Sequence, residues 1–210
     1  MDPRSLRVFV VTSSDLVPDR GHRELASAAI AGGATAVQLR APELADEPLA
    51  ELAAEIAEMC RDAGVLFVVN DRVRIAARVG AGVHVGQSDD PGSARGILGP
   101  DAVLGVSVST PEQALLAEAA GADYLGVTVW ATPTKPEAEP LGLDGLRRIV
   151  DVTALPVVGI GGIDAGNARE VLDAGAAGVC VVSAVGAAAD PLDATRALAV
   201  VVAGWTEGVR

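Results

Sequence analysis

Eight short apolar runs recur along the 210-residue sequence, roughly 25 residues apart, each followed by apolar residues at helical spacing. The runs cover 7–12, 35–40, 66–69, 83–85, 103–106, 123–127, 157–160 and 178–182. They are rich in Val, and most lack the polar alternation of a half-exposed strand. Such runs suit parallel strands buried on both faces. Helical spacing is predicted over 21–32, 45–63, 73–79, 93–98, from Thr110 onward, and over 143–152, 167–174 and 191–203. In the second of these, Leu49, Leu52, Ile56 and Met59 form one apolar stripe. Gly32-Gly33 is a stop signal. Thr110-Pro111-Glu112-Gln113 has the cap, first-turn proline and returning amide of a helix start.

Eight strand–helix units without a composition break predict a single (β/α)8 TIM barrel over residues 1–210, near the small end for that fold. An open doubly wound sheet is the competitor. The count of eight and the lack of a Gly-x-Gly-x-x-Gly turn after the first strand favour the barrel. Half the residues are apolar but only 2% are aromatic. The core must therefore be built of Ala, Val, Leu and Ile.

A net charge of −12 argues against binding to nucleic acid or a membrane surface. It leaves anionic ligands open, because backbone amides and local basic groups can hold a phosphate. Cys60 and Cys180 have neither metal-ligand spacing nor a disulfide framework, so both are expected in the core of a protein from a reducing compartment. No stretch reads as a leader or a membrane span, and the expectation is a cytoplasmic protein. Self-association as a homo-oligomer stays open.

In a barrel of this kind chemistry sits at the carboxyl ends of the strands. Those positions hold Gln38 and Arg40, Asn70 and Asp71, Gln87 and Asp89, Ser107, Thr132-Pro133-Thr134-Lys135, Gly161-Gly162 and Ser183. Asp71 and Asp89 end successive strands, at one rim, within reach of one hard cation. They could equally cap the helices that follow. Gly161-Gly162 with Ser183-Ala184 suits a phosphate site, or in the first case simply a tight turn. Lys135 lies in a long loop of prolines and threonines, either solvated or functional. Arg40, Lys135 and an Asp-held Mg²⁺ would suit a diphosphate. His84, inside the fourth strand, reads as a core or barrel-interior residue, and no nucleophilic triad is visible.

Taken in order, Val37-Gln38-Leu39-Arg40, Val69-Asn70-Asp71-Arg72, His84-Val85-Gly86-Gln87-Ser88-Asp89, Thr132-Pro133-Thr134-Lys135-Pro136, Ile160-Gly161-Gly162-Ile163 and Val181-Val182-Ser183-Ala184 resemble the thiamine-phosphate synthase and thiazole tautomerase-like family. Gly121-Ala122-Asp123-Tyr124-Leu125-Gly126-Val127 adds to the resemblance, which covers almost the whole chain. It implies a transferase joining a hydroxymethylpyrimidine diphosphate to a thiazole phosphate, with release of diphosphate. In such enzymes the C–O bond breaks first and the thiazole nitrogen captures the resulting cation. By motif, Gln38, Arg40, Asn70, Ser107 and Lys135 would hold the pyrimidine diphosphate, with Arg40, Asn70, Ser107 and Lys135 as the catalytic set. Asp71 and Asp89 would bind Mg²⁺. Thr132, Thr134, Gly162, Val182 and Ser183 would hold the thiazole phosphate. The resemblance also allows a tautomerase-like isomerase or a non-catalytic phosphate-binding barrel. Pro42 stands where the family usually carries a lysine, and Ser107-Val108-Ser109 lacks the histidine common there.

Overall fold

In the computed structural model, which describes residues 1–13, 16, 20–132 and 139–208, the eight predicted strands all form. They are β1 (Val8–Thr12), β2 (Ala36–Leu39), β3 (Leu66–Asn70), β4 (Gly82–Val85), β5 (Leu104–Ser107), β6 (Tyr124–Thr128), β7 (Val157–Ile160) and β8 (Gly178–Val181). They close in chain order into a parallel barrel in which β8 returns to β1. Around it lie α1 (His22–Gly32), α2 (Asp46–Ala63), α3 (Val73–Val79), α4 (Pro91–Leu98), α5 (Pro111–Ala119), α6 (Gly142–Val150), α7 (Ala168–Asp173), α8 (Ser183–Gly186) and α9 (Pro191–Gly208). Among the described residues no helix is long and apolar enough to cross a membrane.

The local signals behave as their chemistry requires. Gly33 ends α1 at φ 98°, and its N–H reaches the carbonyls of Ala29 and Ile30, a conformation that residues with a Cβ rarely adopt. Thr110 Oγ1 accepts from Gln113 N at 3.2 Å, and Gln113 Oε1 accepts from Ser109 N at 2.7 Å. The returning amide thus serves one residue earlier than the usual capping box. Two short elements have no periodic signal and were not expected: α8, and a 3-10 turn at Pro3–Leu6 that carries the fully buried Leu6.

Strand alternation divides the apolar side chains into two layers. Outward-facing Val10, Val37, Leu39, Val69, Val83, Val106, Leu125, Val127, Val157 and Val179 join the helix residues in one continuous core. Inward-facing Phe9, Val11, Ala36, Val68, Tyr124, Val158 and Cys180 form a second cluster inside the barrel, with Leu6. Both cysteines are free and buried, as composition suggested. Burial pushes the Cys60 thiol up to about 12.

The end of the barrel where the strands begin is held by Arg95 of α4. Its guanidinium donates to the carbonyls of Gly99, Ala102 and Gly121 and pairs with Asp123 Oδ2 at 2.6 Å. The same carboxylate accepts from Leu104 N at 2.8 Å, so one half-buried pair ties α4 to the starts of β5 and β6. Removing one partner leaves the other desolvated and several carbonyls unpaired. Arg95→Ala should lower stability by about 2–3 kcal/mol. Chemical denaturation measures this. The exposed Arg78–Glu47 pair is the control: Arg78→Ala should move the denaturation midpoint little.

Candidate active site

The site is made by the inward-facing positions of the strands as they approach their carboxyl ends. Register aligns Val11 with Gln38, Asn70 with His84, His84 with Gly105, Ser107 with Gly126, and Thr128 with Ile160. Below these the interior is Leu6, Phe9, Ala36, Val68 and Val158. Polarity therefore rises along the barrel axis, and a cavity opens where it does. Asn70 was expected just beyond its strand but lies in the ladder, and Ser107 is the last residue of β5. The ladder uses backbone groups, which are indifferent to the polarity of the inward side chain.

Within the cavity three side chains form a chain. Tyr124, fully buried, places its hydroxyl 2.9 Å from His84 Nδ1, and His84 Nε2 lies 2.9 Å from Ser107 Oγ. The imidazole and phenol rings are 5.4 Å apart and tilted by 36°. His84 is a barrel-interior residue, as the sequence suggested, but it lines the cavity with Ser107 and Tyr124 rather than filling an apolar core. Burial holds the Tyr124 phenol well above its usual range.

Arg40 sits at the cavity mouth, just past β2. Among the described lining residues it is the only one with a permanent charge, and among the described residues it takes part in no salt bridge. Gln38 beside it is buried, and its carbonyl accepts from Thr12 Oγ1 at 3.3 Å. The ring of His22, the buried first residue of α1, bridges Thr12 Oγ1 (2.9 Å) and Glu43 Oε1 (3.1 Å). These contacts fasten the loop that follows Arg40. In that loop Leu44 N donates to Ala41 O at 3.2 Å. This places Pro42 second in a four-residue turn, where its fixed φ is compatible and its missing N–H costs nothing.

The two rim acids are not consumed as helix caps. The cap of α3 is Arg72, with no side-chain cap bond. The cap of α4 is Asp90, whose carboxylate accepts from Gly92 N at 3.1 Å and from Ser93 Oγ at 2.5 Å. Asp89 instead closes a turn, accepting from Gly86 N at 2.7 Å. Asp71 accepts from Asn70 Nδ2 at 2.6 Å and is the one non-glycine residue with positive φ, 61°, among the described residues. Such strain tends to collect at functional positions. Both carboxylates are exposed, on loops following adjacent strands. Their oxygens are hard donors, and two of them suit an Mg²⁺ that takes its remaining ligands from phosphate and water. The described residues contain no cluster of three or more His, Cys, Asp or Glu that could hold a metal ion.

Gly161 and Gly162 adopt φ of 92° and 65° after β7. A Cβ on Gly161 would come within 2.5 Å of the Trp130 carbonyl. The turn and its close approach to the loop after β6 thus require glycine by themselves. Beside them, at the end of the neighbouring strand β8, Val182 caps α8 and Ser183 begins it. Gln38, Arg40, Asn70, Ser107, Thr132, Gly162, Val182 and Ser183 all line the same cavity. Asp71 and Asp89 lie outside this lining, while Thr134 and Lys135 fall outside the described residues.

A family model described as thiamine monophosphate synthase matches residues 8–185. The chain belongs to that family. It is 50% identical over 199 residues to the thiamine-phosphate synthase of Moorella thermoacetica, across 93% of this chain and 95% of that protein. Identity to the thiamine-phosphate synthase of Natronomonas pharaonis is 48% over 208 residues, 96% and 97% of the two chains. The thiamine phosphate pyrophosphorylase of Pyrococcus furiosus superposes with a TM-score of 0.89 at 39% identity, covering 97% of this chain and 98% of that one.

For this member of the thiamine monophosphate synthase family, the sequence did not point to Phe9, Tyr124, Thr128, Ile160 and Cys180 as wall residues of the cavity. Strand alternation carries the signal for them, since each lies two or four residues from another inward position. Without the register the parity of each strand is undetermined. The strain at Asp71 yields a clean test. Both Asp71→Gly and Asp71→Ala remove the carboxylate, but only glycine relaxes the positive φ. Asp71→Gly should be the more stable of the two by about 1 kcal/mol, measured by denaturant unfolding.

Proposed function

We propose that the chain is a thiamine-phosphate synthase, a transferase joining hydroxymethylpyrimidine diphosphate to thiazole phosphate and releasing diphosphate. The observation that carries this reading is the shared cavity. Eight residues expected to hold the two substrates line it, with Arg40 as the permanent charge among its described walls. Phe9, Val158 and Ile160 supply apolar wall for heteroaromatic rings. Gln38, Asn70 and Ser107 supply hydrogen-bonding groups above it.

In the reaction the electrons of the breaking C–O bond leave with the diphosphate. The thiazole nitrogen then forms a bond to the pyrimidine's methylene carbon. No protein nucleophile is needed. The Cys180 thiol is buried, and burial raises its pKa far above its usual range, so it stays protonated. The chain's own work is to position both rings, exclude water and hold the leaving group. The Arg40 guanidinium would hold diphosphate oxygens through paired N–H donors, with Lys135 as a second cation. Thr132, Thr134, Gly162, Val182 and Ser183 would hold the thiazole phosphate, chiefly through main-chain N–H groups. An Mg²⁺ held by Asp71 and Asp89 together with diphosphate oxygens would neutralise the charge that develops on the leaving group.

Incubation with both substrates and Mg²⁺, followed by detection of thiamine phosphate, tests the reading directly. Asp89→Asn should raise the Mg²⁺ concentration needed for half-maximal turnover, and an unchanged Mg²⁺ titration would remove Asp89 from the metal site. The turn at Pro42 places an uncharged, N–H-less residue two positions after Arg40. A lysine there adds a donor to a developing anion, a contact that typically changes rates by roughly a hundredfold. Pro42→Lys should therefore raise kcat by about tenfold or more, with the KM for thiazole phosphate nearly unchanged. If neither wild type nor Pro42→Lys makes thiamine phosphate while both bind thiazole phosphate, a tautomerase-like or purely phosphate-binding role replaces the synthase.

A further inference from the structure

We propose that Tyr124 and His84 are positioning residues that orient Ser107 as a hydrogen-bond donor to an acceptor atom of the diphosphate-bearing substrate. The identity of that substrate rests on the synthase reading; the direction of the hydrogen bonds does not.

The argument starts from a buried proton. The Tyr124 hydroxyl is fully buried, and its hydrogen-bond partner among the described residues is His84 Nδ1. Desolvation keeps the phenol protonated. A buried O–H with a single partner spends its proton on that partner, because leaving it unpaired forfeits its full solvation. Nδ1 therefore carries the lone pair, and the ring proton sits on Nε2. Nε2–H in turn donates to Ser107 Oγ at 2.9 Å. The serine hydroxyl is then an acceptor on its buried side, and its own proton is directed to the cavity that it lines.

The reverse arrangement fails on the same ground. If Ser107 donated to Nε2 and Nδ1–H donated to the phenol oxygen, the Tyr124 proton would have no acceptor among the described residues. A doubly protonated ring meets the same objection.

The barrel interior is shaped for this pair of rings. At Gly105, the β5 position aligned with both His84 and Tyr124, a Cβ would lie 2.1 Å from the Tyr124 ring carbon Cζ. At Gly126, inward on β6, a Cβ would lie 3.0 Å from His84 Cε1. Two inward positions thus carry no side chain where the rings stand. An acceptor such as an unprotonated ring nitrogen or a phosphate oxygen suits the Ser107 proton.

Two measurements decide the matter. In ¹⁵N-histidine spectra of the full chain at a pH of about 8, above the usual imidazole range, His84 should carry its proton on Nε2. Since the sequence has two histidines, a His22→Asn variant assigns the signals. Tyr124→Phe should move the Nδ1 resonance to that of a nitrogen without a hydrogen bond. A proton on Nδ1, or an Nδ1 signal that ignores Tyr124→Phe, overturns the proposal. In kinetics, Tyr124→Phe should lower kcat/KM for the pyrimidine diphosphate by roughly three- to tenfold, leave the KM for thiazole phosphate unchanged, and add nothing to Ser107→Ala. An equal loss in the wild-type and Ser107→Ala backgrounds overturns the proposal. A wild-type chain that makes no thiamine phosphate refutes the synthase reading alone. The spectra then still decide the tautomer, and calorimetric binding of the pyrimidine diphosphate replaces turnover in the double-variant comparison.

Discussion

Closing eight parallel strands on one another gives every second side chain a fixed, small interior to share. Everything distinctive here depends on how that interior is filled. At one end Leu6, Phe9, Val68 and Val158 pack it with apolar volume. At the other, inward positions of the same strands carry Gln38, Asn70, His84, Ser107 and Thr128. A buried polar group must be paired, and in this layer Tyr124, His84 and Ser107 bond to one another while Asn70 bonds to Asp71. The site is the place where the barrel stops being able to fill itself with hydrocarbon.

Electrostatics follow from the same geometry. A chain with a net charge of −12 is a poor general binder of anions. Yet the described walls of the cavity hold one permanent charge, the Arg40 guanidinium. The nearby acids sit on the outer rim, on the turns after β3 and β4. In the synthase reading, separating the carboxylates from the cavity wall would let one mouth accept both a phosphate ester and the cation that accompanies it. At Asp71 the backbone is held at positive φ, a costly conformation for a residue with a Cβ, while Asp90 takes the ordinary duty of capping α4.

Much of this was legible in the sequence because it is local. Strand runs, helix stripes, the stop at Gly33 and the cap at Thr110 depend on residues within a few positions of one another. The barrel itself was legible from the count of eight units. The strand-end residues could be named because the fold places chemistry at that rim. What short-range pattern could not reveal was which of two adjacent acids caps a helix: Asp90 rather than Asp89 at α4. That choice turns on the path of a four-residue turn, Gly86 to Asp89, closed by the bond from Gly86 N to the Asp89 carboxylate.

By itself the sequence determined the fold class, the family and the set of polar residues at the strand ends, since hydrophobic period and ordered motifs are properties of the chain. Only the tertiary structure decided which strand faces look inward, and therefore that Tyr124, Gly105 and Gly126 belong with His84 and Ser107. Those residues are separated by up to 42 positions but stand on three adjacent strands. The reason is physical. A one-residue slip in register would exchange the inner and outer faces of a strand, and register is set by the closure of the whole barrel, which no single strand contains.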